Sequence, residues 1–271
     1  MANSIILSLA ALVSLVPAAV LPLRREAGGP DPLFWAAVAV AVAGPGAYSL
    51  VLLGGGWPTG LASALWISIA VSMVIFAILA AVRREAWREA WRLRPLLLPY
   101  LILLGLIATV WGRVPAQAAL LAAPDAWLGV HIAASVATYG LCTLAAVAAA
   151  AAFLQERALK GKRPTALSRV LPSISDASLL QVRLLAVAEG VLALGIASGM
   201  ARDYLSSGQV LHFDHKTLLA GLAFLVIGTL LVLHKRNGLR GQRAARLVLV
   251  AYLLLTLAYP GVKFITDVVI G

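Results

Sequence analysis

Charge is scarce in this chain. Only 12% of its 271 residues are Asp, Glu, Lys or Arg, and 62% are hydrophobic. A soluble domain carries about 25% charge and about 45–50% apolar residues. The shortage excludes an ordinary cytosolic enzyme, a disordered tail and a nucleic-acid-binding domain. Acids are scarcer than bases, 11 against 22, for a net charge of +11. The bases lie between apolar runs, which points to membrane orientation and not to a nucleic-acid partner. Cysteine is nearly absent: Cys142 stands alone inside an apolar run, so no intramolecular disulfide and no thiol pair can form. Catalytic motifs are missing too. There is no G-x-S-x-G, no H-E-x-x-H and no P-loop, and Gly54-Gly55-Gly56 is followed by no Lys-Ser/Thr. The chain is not expected to be an enzyme.

What is abundant is apolar sequence, in eight runs: Ser4–Leu21, Phe34–Leu53, Gly60–Val82, Pro95–Trp111, Trp127–Leu154, Leu184–Ala201, Thr217–Leu233 and Leu247–Val262. Each is near or above the length that crosses about 30 Å of hydrocarbon at 1.5 Å per residue. None alternates as a barrel strand would, so helix is the state they predict. The expected fold is an all-α integral membrane protein, a bundle of about eight transmembrane helices. Gly44-Pro45-Gly46 and Tyr259-Pro260-Gly261 interrupt two runs and are expected to kink them. All but four of the 22 bases (Arg113, Arg202, Lys216 and Lys263) fall in alternate loops. That bias places those loops in the cytoplasm and both termini outside it. The first run has no base before it and Arg24-Arg25 after it, the reverse of a cleaved signal peptide. It reads as a retained span.

Two basic segments read as surface helices. Arg83–Arg94 carries Trp87 and Trp91 at i, i+4, which suits a membrane interface, and Leu167–Leu180 mixes apolar residues with Ser, Asp and Arg around Pro172. Both are expected to be connectors. The alanine run Ala148–Ala152 suits close helix packing.

Polar groups inside spans are costly, so they are the informative ones. His131 lies one turn inside the start of the fifth run, with Ser135, Tyr139 and Cys142 following at helical spacing on one stripe. The imidazole could ligate a metal centre or simply hydrogen-bond a neighbouring helix. His212 and His215 sit with Asp214 and Lys216 just before the seventh run, on the same predicted side as His131. Neutral imidazoles from separate segments can bind haem (heme) iron or a divalent metal, and a solvated loop is the other reading. His234 ends the seventh run at the opposite side. It lies about 28 Å along a helix from His215, so one iron cannot take both. Beside Lys235 and Arg236 it also suits a helix C-terminus. Glu189 is the one acid well inside a run, either an ion-path carboxylate or a hydrogen-bonded group. Lys263 and Asp267 could pair near the end of the chain. With no C-x-x-C-H in the sequence, any haem would be held without thioether bonds.

The order of short motifs in the second half resembles the cytochrome c assembly family, the CcsA/CcmC/CcmF-like haem-handling membrane proteins, and most of all its short YpjD-type branch. The matching stretches run from Trp127 to Val262. They are Leu128-Gly129-Val130-His131-Ile132 through Ser135 and Tyr139-Gly140; Phe153–Lys160; Gly190-Val191 through Gly195-Ile196 and Gly199; Asp214-His215-Lys216; His234-Lys235-Arg236; Gly238-Leu239-Arg240-Gly241; and Tyr259-Pro260-Gly261-Val262. The resemblance divides the chain into N-terminal helices (1–125) and an assembly-like core (126–271). It implies a haem-binding bundle with a Trp-rich outer loop that presents haem to apocytochrome c. His131 falls on the histidine before that loop and His234 on the one ending the following helix, with Asp214 and Lys216 on its closing motif. The chain departs from the family in two places. Asp203–Lys216 contains no tryptophan, and no histidine follows Tyr259-Pro260-Gly261.

The resulting expectation is a multi-pass inner-membrane protein of the cytochrome c assembly type that binds or relays non-covalent haem near the outer face. Its cofactor-binding residues would be His131, His215, His234, His212, Tyr139 and Asp214, with no catalytic residue and no separate metal site. Ser135 would support them, and Arg202 or Lys216 would meet the propionates. Its partners would be membrane lipid and other maturation proteins or apocytochrome c. A small-solute or divalent-metal transporter (or its accessory subunit) lined by Glu189, His131 and Asp267, and a structural membrane scaffold, are the alternatives.

Overall fold

A computed structural model describes residues 2–24, 29–54, 60–82, 84–112, 126–162, 165–208, 215–238 and 241–261. Among them there is no strand. A helix covers each of the eight apolar runs: α1 (Ala2–Arg24), α2 (Pro32–Gly54), α3 (Leu61–Ala81), α4 (Arg94–Trp111), α5 (Ala126–Lys160), then after a short α6 (Ala166–Val170), α7 (Ile174–Ser207), α8 (His215–Asn237) and α9 (Gly241–Thr256). Six of these regions are long and apolar enough to cross a membrane: 32–54, 61–81, 90–111, 127–160, 174–205 and 217–236. The apolar stretch of α1, Ile5–Leu21, is shorter, and α9 carries Arg243 and Arg246 in its first two turns. Six crossings therefore stand on length and hydropathy. The eight expected from the sequence rest on α1 and α9 in addition.

Leu50, Leu103 and Leu225 turn outward with 71%, 55% and 64% of their surface exposed. Water would penalise such a surface, and hydrocarbon would not.

The centre of the bundle is α5, paired with α7 and flanked by α3 and α9. Its alanine run lets the neighbours approach: Leu144, Ala145, Ala148, Ala149 and Ala151 are fully buried. In lipid, where apolar side chains gain little by leaving the solvent, such close backbone packing is a main source of helix association. Gly140 shows how tight the contact is, because a Cβ there would lie 2.9 Å from Ile75 of α3. Helix α5 continues past the apolar run through Gln155–Lys160. Helix α7 begins ten residues before its apolar run, where the Ser173 side chain caps it by accepting from the Asp176 amide. It stops at Gly208, whose φ of 72° favours glycine and whose amide bonds the Tyr204 carbonyl.

The interrupted runs behave differently from each other. Helix α2 runs on through Pro45. The last run instead ends in a π-helical turn, Leu257–Gly261, at the expected break.

The two connectors are also not single surface helices. Residues 84–93 form two short 3-10 turns, Glu85–Trp87 and Ala90–Leu93. Trp91 does not lie on the surface: it is buried edge-on to Phe34 at 6.4 Å with the Arg94 guanidinium 5.5 Å over its ring. The sequence Leu167–Leu180 splits at Leu171–Ser173 into α6 and the first turns of α7. Gln155 of α5 holds the split in place, its amide nitrogen donating to the carbonyls of Ser168 (2.7 Å), Leu171 (3.3 Å) and Pro172 (3.0 Å).

Candidate functional site

His131 lies in the second turn of α5, half-buried against α7. Its Nδ1 is 2.8 Å from the Gly195 carbonyl oxygen. A carbonyl can only accept, so Nδ1 carries the hydrogen and the neutral ring keeps its lone pair on Nε2. A hydrogen bond of this kind from the second nitrogen fixes the orientation of a ligating imidazole and raises its basicity. Ser198, itself buried, also donates to the Gly195 oxygen at 2.9 Å. The seat is a small-residue face of α7: a Cβ at Gly195 would meet Ala134 at 3.5 Å, and one at Gly199 would lie 3.1 Å from both Cε1 and Nδ1 of His131. Gly195 and Gly199 have the small-xxx-small spacing that brings membrane helices together. That spacing was visible in the sequence. Its tie to His131 was not, because the ring reaches it across 64 positions of chain.

Two more groups lie within about a turn of these residues along their own helices. Arg202, one turn beyond Gly199 on α7, has a buried Nε with no hydrogen-bond partner. Trp127, one turn before His131 on α5, is 46% exposed. Ser135 donates back to the His131 carbonyl and stays within α5.

The other expected residues are placed as follows. His215 is the first residue of α8, and its side chain lies outside what is described. His212 and Asp214 are outside the described residues, as are Lys263 and Asp267. His234 occupies the last turn of α8, half-buried beside Lys235 and Arg236, and its carbonyl accepts from the Gly238 amide. Helix α8 is unbroken between His215 and His234, which keeps them about 28 Å apart.

Tyr139 is two turns from His131, with its hydroxyl engaged elsewhere. The Tyr252 hydroxyl of α9 donates to it at 3.1 Å, and the Tyr100 hydroxyl of α4 lies 2.5 Å from that of Tyr252. Thr143 Oγ1 sits 3.0 Å from the same Tyr252 oxygen and donates to the Tyr139 carbonyl at 2.8 Å. Three phenols and one threonine thus join α4, α5 and α9. Sequence reading picked out Tyr139 alone, since no helical spacing links residues 100, 139 and 252.

Apolar outer faces, buried small-residue seams and intrahelical backbone bonding define a polytopic α-helical membrane protein. Residues 48–270 match the family model described as Cytochrome C assembly protein, so the chain belongs to the cytochrome c assembly protein family. The match begins far upstream of Trp127, where the sequence motifs start, and takes in α3 and α4. A protein of Azospirillum brasilense, described as an uncharacterized 28.8 kDa protein in a nifR3-like 5' region, is 52% identical over 275 residues, covering all of both chains. No solved structure matches.

Proposed function

We propose that this protein binds haem non-covalently, as cargo for cytochrome c maturation, at the end of the bundle that holds His131. The observation that carries the reading is the His131–Gly195 hydrogen bond, which leaves Nε2 as a pre-oriented donor for iron. The residues present fit the group. An imidazole lone pair suits the iron, the unpartnered Nε of Arg202 suits a propionate carboxylate, and the exposed indole of Trp127, one turn before His131 on α5, offers an aromatic surface. His215 or His212 would be the candidate for a second ligand. His234, at the far end of α8, would belong to a second site.

The placement of Lys and Arg supports an inner-membrane protein with the His131 end and both termini outside the cytoplasm. Bound haem would bring the iron porphyrin that an apocytochrome lacks. The chain's own part would be to hold it by His131 and Arg202 and release it, without catalysing a reaction.

Purification of the full chain from haem-replete membranes tests this. A visible spectrum with a Soret band that disappears in His131→Ala supports the reading. Haem-free protein after supplementation, from wild type as from the variant, contradicts it.

A further inference from the structure

Glu189 has no role in the His131 site, and its surroundings are unusual. It lies about 22 Å from the start of α7 and about 27 Å from its end, close to the middle of the helix. Its Oε2 is buried with no hydrogen-bond partner. Helix α8 faces it with a glycine, Gly228, where a Cβ would stand 3.0 Å from Oε1. From α5 the buried thiol of Cys142 comes within electrostatic reach. On its own helix Arg183 is nearly two turns away. Neither a glycine nor a buried thiol offsets a negative charge.

An uncompensated carboxylate in hydrocarbon is among the costliest arrangements a membrane protein can hold. A bound proton or a bound cation would relieve it. The donor set decides between them. Hard cations ask for about six oxygen ligands, and among the described residues no three His, Cys, Asp or Glu side chains come together. A proton needs one oxygen.

We propose that Glu189 is a proton-binding site in the membrane interior, set into the seam between α7 and α8 against Gly228. A groove of about 280 Å3 on α8, lined by Phe224, Leu225, Gly228, Thr229, Val232 and Leu233, reaches the same glycine. Leu225 and Val232 are largely exposed, so this face of α8 is open to lipid, the phase in which an apolar reagent dissolves. The proposal is independent of haem.

Dicyclohexylcarbodiimide, which adds to protonated carboxyls in apolar surroundings, tests it on the full chain in nanodiscs, with peptide mass mapping of the adducts. The expected result is an adduct on Glu189 that forms at least about tenfold faster at about pH 5 than at about pH 9. A water-soluble carbodiimide should reach Glu85 and Glu156 and spare Glu189. An infrared carboxylic-acid C=O band present in wild type should be missing from Glu189→Gln. No adduct at low pH, equal labelling at both pH values, or labelling blocked by sodium or potassium ions would overturn the proposal. The first two outcomes remove the exchangeable proton, and the third puts a cation in its place.

Discussion

The imidazole Nδ1 of His131 and the carbonyl oxygen of Gly195 meet at 2.8 Å across the α5–α7 seam. One hydrogen bond ties together the tautomer of the ring, the direction of its free nitrogen and the approach of two membrane helices. Histidine alone does not produce this. It also requires a small face on α7, with Gly199 leaving the ring just enough room.

The first prediction concerns that room. Gly199→Ala places a methyl 3.1 Å from Cε1 and Nδ1 of His131, so the ring must give. The expected cost is about 1–2 kcal/mol of stability. Most of it should vanish when the same change is made in a His131→Ala background, where nothing fills the space. A double-mutant cycle by thermal or denaturant unfolding in detergent reads the coupling directly. Additive effects would mean that the ring does not occupy this seat.

A second prediction concerns the phenol cluster. Tyr252 is its hub, with Tyr100, Tyr139 and Thr143 all within hydrogen-bond reach of one oxygen. Tyr252→Phe should cost about 1–2 kcal/mol by stranding several partners at once. Tyr100→Phe removes one partner and should cost about 0.6 kcal/mol, the usual interhelical value in membranes. Equal costs for the two variants, measured by reversible unfolding in mixed micelles, would contradict a hub.

The third prediction is made at the connector between α5 and α7. The Gln155 side chain donates to three backbone carbonyls, those of Ser168, Leu171 and Pro172. Gln155→Glu is nearly isosteric but replaces donors with acceptors, so it should be more damaging than Gln155→Ala. Limited proteolysis near residues 163–173 should speed up several-fold in both variants, more in the glutamate one. Unchanged cleavage would show that the amide does not hold the connector.

Much of the architecture was legible because hydrocarbon imposes a simple rule: every crossing must be a long apolar helix. A helix was found at each of the eight runs, and six of the helices are long and apolar enough to cross. Their ends were less legible. Helix α7 starts at Ile174 and not near Leu184, because Ser173 caps it and Leu180 is buried against its neighbours. Trp91 suggested an interfacial ledge from its spacing, yet its ring is spent on Phe34 and Arg94. Sequence periodicity says which residues share a face but not which helix that face meets. The same limit applies at the site. His131 stood out as a polar group in a span, while its partners Gly195 and Gly199 are small residues whose meaning appears only once α7 lies beside α5.

A haem titration of purified wild type and His131→Ala, with free imidazole added to the variant, tests the central claim most directly. The account predicts a saturable Soret band in wild type, its loss or at least about a tenfold weaker affinity in the variant, and partial recovery with imidazole filling the vacated ligand position. A variant that binds haem as tightly as wild type with an unchanged spectrum would contradict it.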